Sequence, residues 1–192
     1  MTWLNSPPIP VGQASTNGSL AQDLGQEYWL RGGASATSAV NTLRGYRLMY
    51  NNSSGTLAKG DVLIEERTSN VRNGYCNTTT TAGHPDLIGS VPNEFGSNTV
   101  AAASYFLVQI AGPGKAKFAS TAATIQSTLT GLTLMGTATT AGWAQLVSTD
   151  ATGIPVFSQL GAYWLAGLLM PTNSAVFSTA GTVGDVQIIY RR

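Results

Sequence analysis

From Tyr46 to the C-terminus, short apolar runs alternate with breaks rich in Gly, Thr and Ser. No helical period survives longer than a few turns in that stretch. Such a chain is restricted to an all-β fold, a small β-barrel or sandwich of short strands. Tyr46 to Tyr50 reads as a first strand, closed by the turn-rich NNSSG. Asp61 to Glu66 follows, with Val62 and Ile64 on one face by period 2. Tyr105 to Ile110 sets Phe106, Val108 and Ile110 against Tyr105, Leu107 and Gln109. Both sets are largely apolar, so this strand is expected to be covered on both sides. Gly112-Pro113-Gly114 then predicts a tight turn, with Lys115 to Phe118 returning as the partner strand. Further strands are predicted at 124–128, 132–136, 141–147 and 186–190. Composition agrees, since 24 Thr and 22 Gly suit strands and turns.

Residues 1–40 read differently and are set apart as an extended N-terminal arm, with residues 41–192 as the β-barrel domain. Pro7, Pro8 and Pro10 interrupt the arm, and Trp3, Leu4, Ile9, Tyr28, Trp29 and Leu30 follow no sustained period. A short helix is predicted around Leu20 to Leu30, with Ser19 as its cap and Gly32 as its end. Two tryptophans have no use in a flexible linker, so the arm is expected to bury them against a partner or the chain's own core.

Charge is scarce, at 10% of residues, and the net charge of +1 gives no general pull towards nucleic acid or acidic membranes. Between Phe118 and Gly184 one charged residue occurs, Asp150. Interfaces lose charge at their centres and keep aromatic residues and Met. That stretch holds Trp143, Tyr163, Trp164 and Met170, which are expected to divide between core and interface. The alternative is an outer surface coated in Thr and Ser. No apolar run approaches the ~20 residues that span a bilayer, and MTWLNSPPIP does not read as a signal peptide.

Groups that could carry chemistry are few. His84 is the only histidine and Cys76 the only cysteine. GHPD around His84 has turn composition, and no nucleophile turn surrounds Cys76 or any Ser. Glu65 and Glu66 are adjacent, so pleating directs them to opposite faces of a strand. One Cys and one His give no zinc site, and no Gly-rich segment has a phosphate-loop context. The reading expects no catalytic residue, no metal and no cofactor.

Several segments, taken in order, resemble the small β-barrel domain of tailed-phage capsid decoration (cement) proteins. They are YRLMYNNSSGTLAKGDVLI, TTTTAGHPDLIGSV, YFLVQIAGPGKAKF, GTATTAGWAQL and, more loosely, GDVQIIYRR. Roughly half the chain is covered; the arm and the region from Thr149 to Phe177 have no counterpart. The resemblance implies a structural virion protein, made in the host cytoplasm, that coats an assembled capsid. It would bridge neighbouring major capsid protein subunits, and the symmetric sites of a shell suit a homo-oligomer, a trimer in preference to a dimer. Trp3, Leu4 and Ile9 would be an anchor, and Tyr28, Trp29, Trp143, Tyr163, Trp164 and Met170 complete the candidate interface. Removal of residues 1–12 is expected to weaken shell binding and leave the barrel folded. The alternative is a head-fibre or spike module that recognises a host glycan.

Overall fold

The computed structural model describes residues 2–32, 43–66, 74–81, 84, 86–118, 135–137, 140–146, 169–171, 181 and 183–188. Three strands lie in the N-terminal region: β1 (Thr2–Trp3), β2 (Ala14–Ser15) and β3 (Glu27–Arg31). Seven follow: β4 (Leu43–Asn51), β5 (Leu57–Ala58), β6 (Val62–Glu65), β7 (Tyr75–Asn77), β8 (Leu87–Ser90), β9 (Thr99–Val100) and β10 (Tyr105–Lys117). The last four are β11 (Met135–Thr137), β12 (Ala144–Leu146), β13 (Leu169–Pro171) and β14 (Val183–Ile188). The fold is all-β, as expected: a closed five-stranded barrel extended by further strands.

The barrel closes in the order β4, β7, β6, β8, β10 and back to β4. Every pairing is antiparallel except the seam between β4 and β7, which is parallel. Alternation along β10 drives the closure. Phe106, Val108 and Ile110 point inward with Met49, Leu63, Cys76 and Phe95, all buried. Tyr105 and Leu107 point the other way, onto a layer with Leu20, Tyr28, Leu30, Tyr46 and Leu48. This strand is covered on both faces, and each large apolar side chain buried in it contributes about 1.5–3 kcal/mol.

The outer layer is built by the N-terminal segment. β3 pairs with β4, β1 pairs with β3, and β2 pairs with the start of β10. Trp3, Ile9, Val11 and Leu24 pack against the same layer. The helix expected over Leu20 to Leu30 is replaced by a 3-10 turn, Gly18–Asp23, whose Ser19 N–H donates to the Asn17 side chain at 3.1 Å. Tyr-Trp-Leu then extends as β3, because the free edge of β4 offers a ladder and period 2 buries Tyr28 and Leu30 together.

The turn expected at Gly112-Pro113-Gly114 is absent. β10 runs through it unbroken and changes partners instead, from β4 up to Ala111 to β14 from Gly112 onward. A register shift between Gln109 and Ala111 bends the strand. Gly112 sits at φ +87°, a conformation that favours glycine. The Gln109 side chain fixes the bend by donating to the carbonyls of Pro113 at 2.6 Å and Ala111 at 3.3 Å.

Beyond the bend the connectivity repeats. β10, β11, β12, β13 and β14 stand to one another as β4, β6, β7, β8 and β10 do. In each set the first strand pairs with the fifth, the fifth with the fourth, the fourth with the second and the second with the third. The third then returns to the first in parallel, at Asn51 with Cys76 in one set and as a bridge of Phe118 with Ala144 in the other. The registers coincide as well. Gln109 faces Tyr46 and Ser90, as Gln187 faces Pro113 and Met170. Cys76 faces Glu65 as Ala144 faces Thr137, and Leu63 faces Gly89 as Met135 faces Leu169. Ala116, Ala144, Val186 and Ile188 thereby take the places of the inward-facing Met49, Cys76, Val108 and Ile110, and they form a core cluster of their own. Val62 and Leu87 of the barrel join that cluster. β10 is therefore the last strand of one unit and the first of the next.

The later strands predicted from sequence fall at Met135–Thr137, Ala144–Leu146 and Val183–Ile188; the one at 124–128 lies outside the described residues.

Candidate functional site

Chemistry-bearing residues are engaged in holding the fold. Cys76 lies in the barrel interior, fully buried, and burial pushes its thiol well above the usual range, helped by Glu66 and Glu65. That is the opposite of an activated nucleophile. Native protein should accordingly resist Ellman's reagent, with one thiol reacting only after unfolding; prompt reaction under native conditions would contradict the packing. Glu65 reaches Arg47 at 3.8 Å, and Arg47 also donates to Glu27 at 2.6 Å. Glu66 accepts from the Asn52 amide at 2.6 Å. His84 uses Nδ1 to accept the Asp86 N–H at 3.2 Å, closing its own loop. Among the described residues no group of three or more His, Cys, Asp or Glu is placed to hold a metal ion.

The turn motifs are likewise structural. Asn51, buried, donates to the Ala101 carbonyl at 2.9 Å and accepts from the Ser53 N–H at 3.0 Å and hydroxyl at 2.6 Å, which shapes the NNSSG turn. Asp61, at the end of LAKGD, accepts from the Ala58 N–H at 2.6 Å and from the Lys117 ammonium at 2.5 Å.

The aromatic and apolar candidates separate into three groups. Tyr28 is core, and Trp3 and Ile9 pack on the same layer. Leu4 and Trp29 belong to the other side of the β1–β3–β4 sheet. The Leu4 N–H donates to the Trp29 carbonyl at 2.9 Å, and the Asn5 side-chain amide donates to the Glu27 carbonyl at 2.7 Å. Trp29 lies half-buried over Gly45, whereas Leu4 is 65% exposed. Leu43, which the sequence reading passed over, is 45% exposed on the same sheet. Leu4 and Leu43 are the exposed large hydrophobic residues among the described part of the chain. Trp143 is half-buried beside Gly181, far along the chain from the arm. Met170 falls on β13, and Tyr163 and Trp164 lie outside the described residues.

One groove joins the arm to the barrel. Trp3, Ile9, Leu30 and Tyr46 line it with the Pro7-Pro8 lip and Glu94, around a space of about 490 Å³. The rings of Trp3 and Tyr46 are 5.7 Å apart and tilted by 58°. The Tyr46 hydroxyl is buried, with the Arg44 side chain as its polar neighbour. Burial and then the Glu94 charge push its pKa up, against the smaller opposing effects of a hydrogen bond from the Arg44 side chain and of its charge. Arg44 is held by Glu94 at 2.8 Å. Sequence reading could not assemble this groove, because Glu94 comes from a 3-10 turn that no pattern ties to the arm.

Against known proteins the chain stands apart: no family model matches it, and neither the curated proteins nor the solved structures give a significant match.

Proposed function

We propose that this chain is a capsid decoration protein, which binds the outer surface of an assembled phage shell and bridges neighbouring major capsid protein subunits. The observation that carries the reading is the ordered series of segments resembling such proteins. They fall in chain order on strands of the architecture: YRLMYNNSSGTLAKGDVLI runs from within β4 into β6, DLIGSV covers β8, and YFLVQIAGPGKAKF covers β10. The later segments carry β11, β12 and β14. A cement protein needs rigidity and contact area, and no chemistry. A ligand present at 100 times its Kd stabilises the state it binds by about 2.7 kcal/mol. The exposed Leu4 and Leu43 on the β1–β3–β4 sheet offer apolar contacts at the edge of the barrel.

The test is co-sedimentation of the full chain with expanded shells of the cognate major capsid protein, together with its copy number in purified particles. Saturable binding at a simple symmetric ratio is the expected result. A handful of copies would favour the head-fibre reading, and absence from particles would end both. Leu4→Asp should weaken shell binding at least about tenfold, since burying a Leu is worth about 1.5–3 kcal/mol. As an exposed substitution it should change stability by no more than about 0.5 kcal/mol. Removing residues 1–12 is a poorer probe. It takes away β1, Trp3, Ile9 and Val11, and so uncovers Tyr46 and Leu48 and lowers stability too.

A further inference from the structure

We infer that residues 2–11 form a strap that opens as a unit while the barrel stays folded, and that docking on a shell uses its open form. The partner rests on the decoration reading; the opening itself does not. The strap is held at two ends. At one, Thr2 pairs with Arg31 and Trp3 with Leu30, and the Leu4 N–H donates to the Trp29 carbonyl. The Asn5 side chain completes this clasp by accepting from the Trp29 N–H at 3.1 Å and donating to the Glu27 carbonyl at 2.7 Å. The sheet ends at β1, whose neighbour is β3. At the other end Gly12 is buried at φ +85°, and a Cβ on it would stand 2.5 Å from the Glu94 carbonyl oxygen. That close approach roots the strap on the barrel.

Between clasp and root the ties are few. Across residues 6–11 the hydrogen bond described is local, from the Gln13 N–H to the Pro10 carbonyl at 3.3 Å. Trp3, Ile9 and Val11 are half-buried, Ser6, Pro8 and Pro10 are exposed, and the span runs along the open groove without filling it. No charged side chain occurs before Asp23, so no side-chain ion pair fastens the strap. Segments with few buried contacts and exposed backbone bonds open at a fraction of the global free energy. The division falls between β1 and β3, because β3 keeps a five-residue ladder with β4 and Leu20, Tyr28 and Leu30 stay packed with Tyr46 and Leu48.

Pro7, Pro8 and Pro10 fix φ, so the opened span stays extended and carries Trp3 and Leu4 outward. Ten residues reach at most about 33–36 Å from the root. An uncharged segment with an aromatic residue is the composition that interface centres favour. Trp3, Leu4 and Ile9 thereby serve the free chain on its own barrel and the docked chain against an apolar face of a shell subunit.

Hydrogen exchange on the full chain tests the opening. The Leu4 amide should exchange at least about a hundredfold faster than the amides that pair β10 with β4, once intrinsic rates are removed. Docking is tested with Thr2→Cys/Arg31→Cys, register partners whose disulfide closes the strap, while the buried Cys76 stays apart. The oxidised form should bind shells of the major capsid protein at least about tenfold more weakly than the same protein reduced. Asn5→Ala needs no disulfide. It removes two clasp hydrogen bonds and should raise Leu4 exchange and tighten shell binding, each by roughly tenfold. Leu4 protection equal to that of the barrel would overturn the inference, as would equal shell binding by the oxidised and reduced forms, or weaker binding by Asn5→Ala. Shells that bind neither the parent nor any variant would end the decoration reading, and hydrogen exchange would still decide the opening.

Discussion

Gly89→Ala should remove at least about 4 kcal/mol of stability, a large share of the roughly 5–15 kcal/mol that holds a typical domain folded. Gly89 lies on β8, where the barrel closes onto β10 through the pairing of Ser90 with Gln109. A Cβ at this position would fall on the Gln109 carbonyl oxygen. It would also stand 2.9 Å from that carbonyl carbon and 3.3 Å from the Ile110 Cα. All three are backbone atoms of β10. That strand is pinned by β4 on its other edge and by the Gln109 side chain at the bend, so the contact has nowhere to relax. Gly55→Ala is the control, because nothing lies within 4 Å of its added methyl. Urea denaturation should show Gly55→Ala close to the parent and Gly89→Ala strongly destabilised or unfolded. Equal midpoints for the two would refute the close-approach argument.

The strands that were legible in the sequence are those with a local cause. Phe106, Val108 and Ile110 against Tyr105 and Leu107 is a period-2 pattern that both faces of β10 honour. Gly112-Pro113-Gly114 signals a turn by composition, whereas the decisive partner, β14, pairs with it from far along the chain, Gly112 with Ile188 and Gly114 with Val186. The Leu20 to Leu30 segment was misread for the same reason, since the edge of β4 outweighs a weak helical signal. The repeated unit is nearly invisible in sequence. Val108-Gln109-Ile110 and Val186-Gln187-Ile188 coincide, and Gly74-Tyr75 and Gly142-Trp143 share a glycine followed by an aromatic residue, but the fragments recur at uneven spacing. A barrel fixes which residues face inward and how strands pair, and it tolerates many apolar choices at each place, so register survives where identity does not. The candidate groove was half legible. Trp3 and Ile9 stood out as residues an arm would bury, while the places of Glu94 and Tyr46 beside them depend on tertiary placement.

Asp61→Ala should cost about 3 kcal/mol, and its effect should be greatest where the barrel meets the repeated strands. Around this residue the Gly60 carbonyl accepts from the Lys117 N–H at 2.8 Å, and the Val62 N–H donates to the Gly142 carbonyl at 2.7 Å. The carboxylate adds the Ala58 N–H and the Lys117 ammonium to this joint. Its side chain is 10% exposed, so losing it strands a backbone N–H, worth about 1–3 kcal/mol, and leaves Lys117 without its partner. The Lys117 side chain is 22% exposed, which keeps the charge term below the 3–5 kcal/mol of a fully buried broken pair. Asp61→Asn separates the two contributions, because the amide oxygen still accepts from Ala58 while the charge is gone. A double-mutant cycle with Lys117→Met should give a coupling of about 1–2 kcal/mol, above the 0.2–1 kcal/mol of exposed pairs. Hydrogen exchange should rise first in the pairing of Gly112–Lys117 with β14, since that ladder begins beside the joint. Additive single mutants would show that the backbone bonds alone join the two units, and uniform loss of protection would show that they unfold as one.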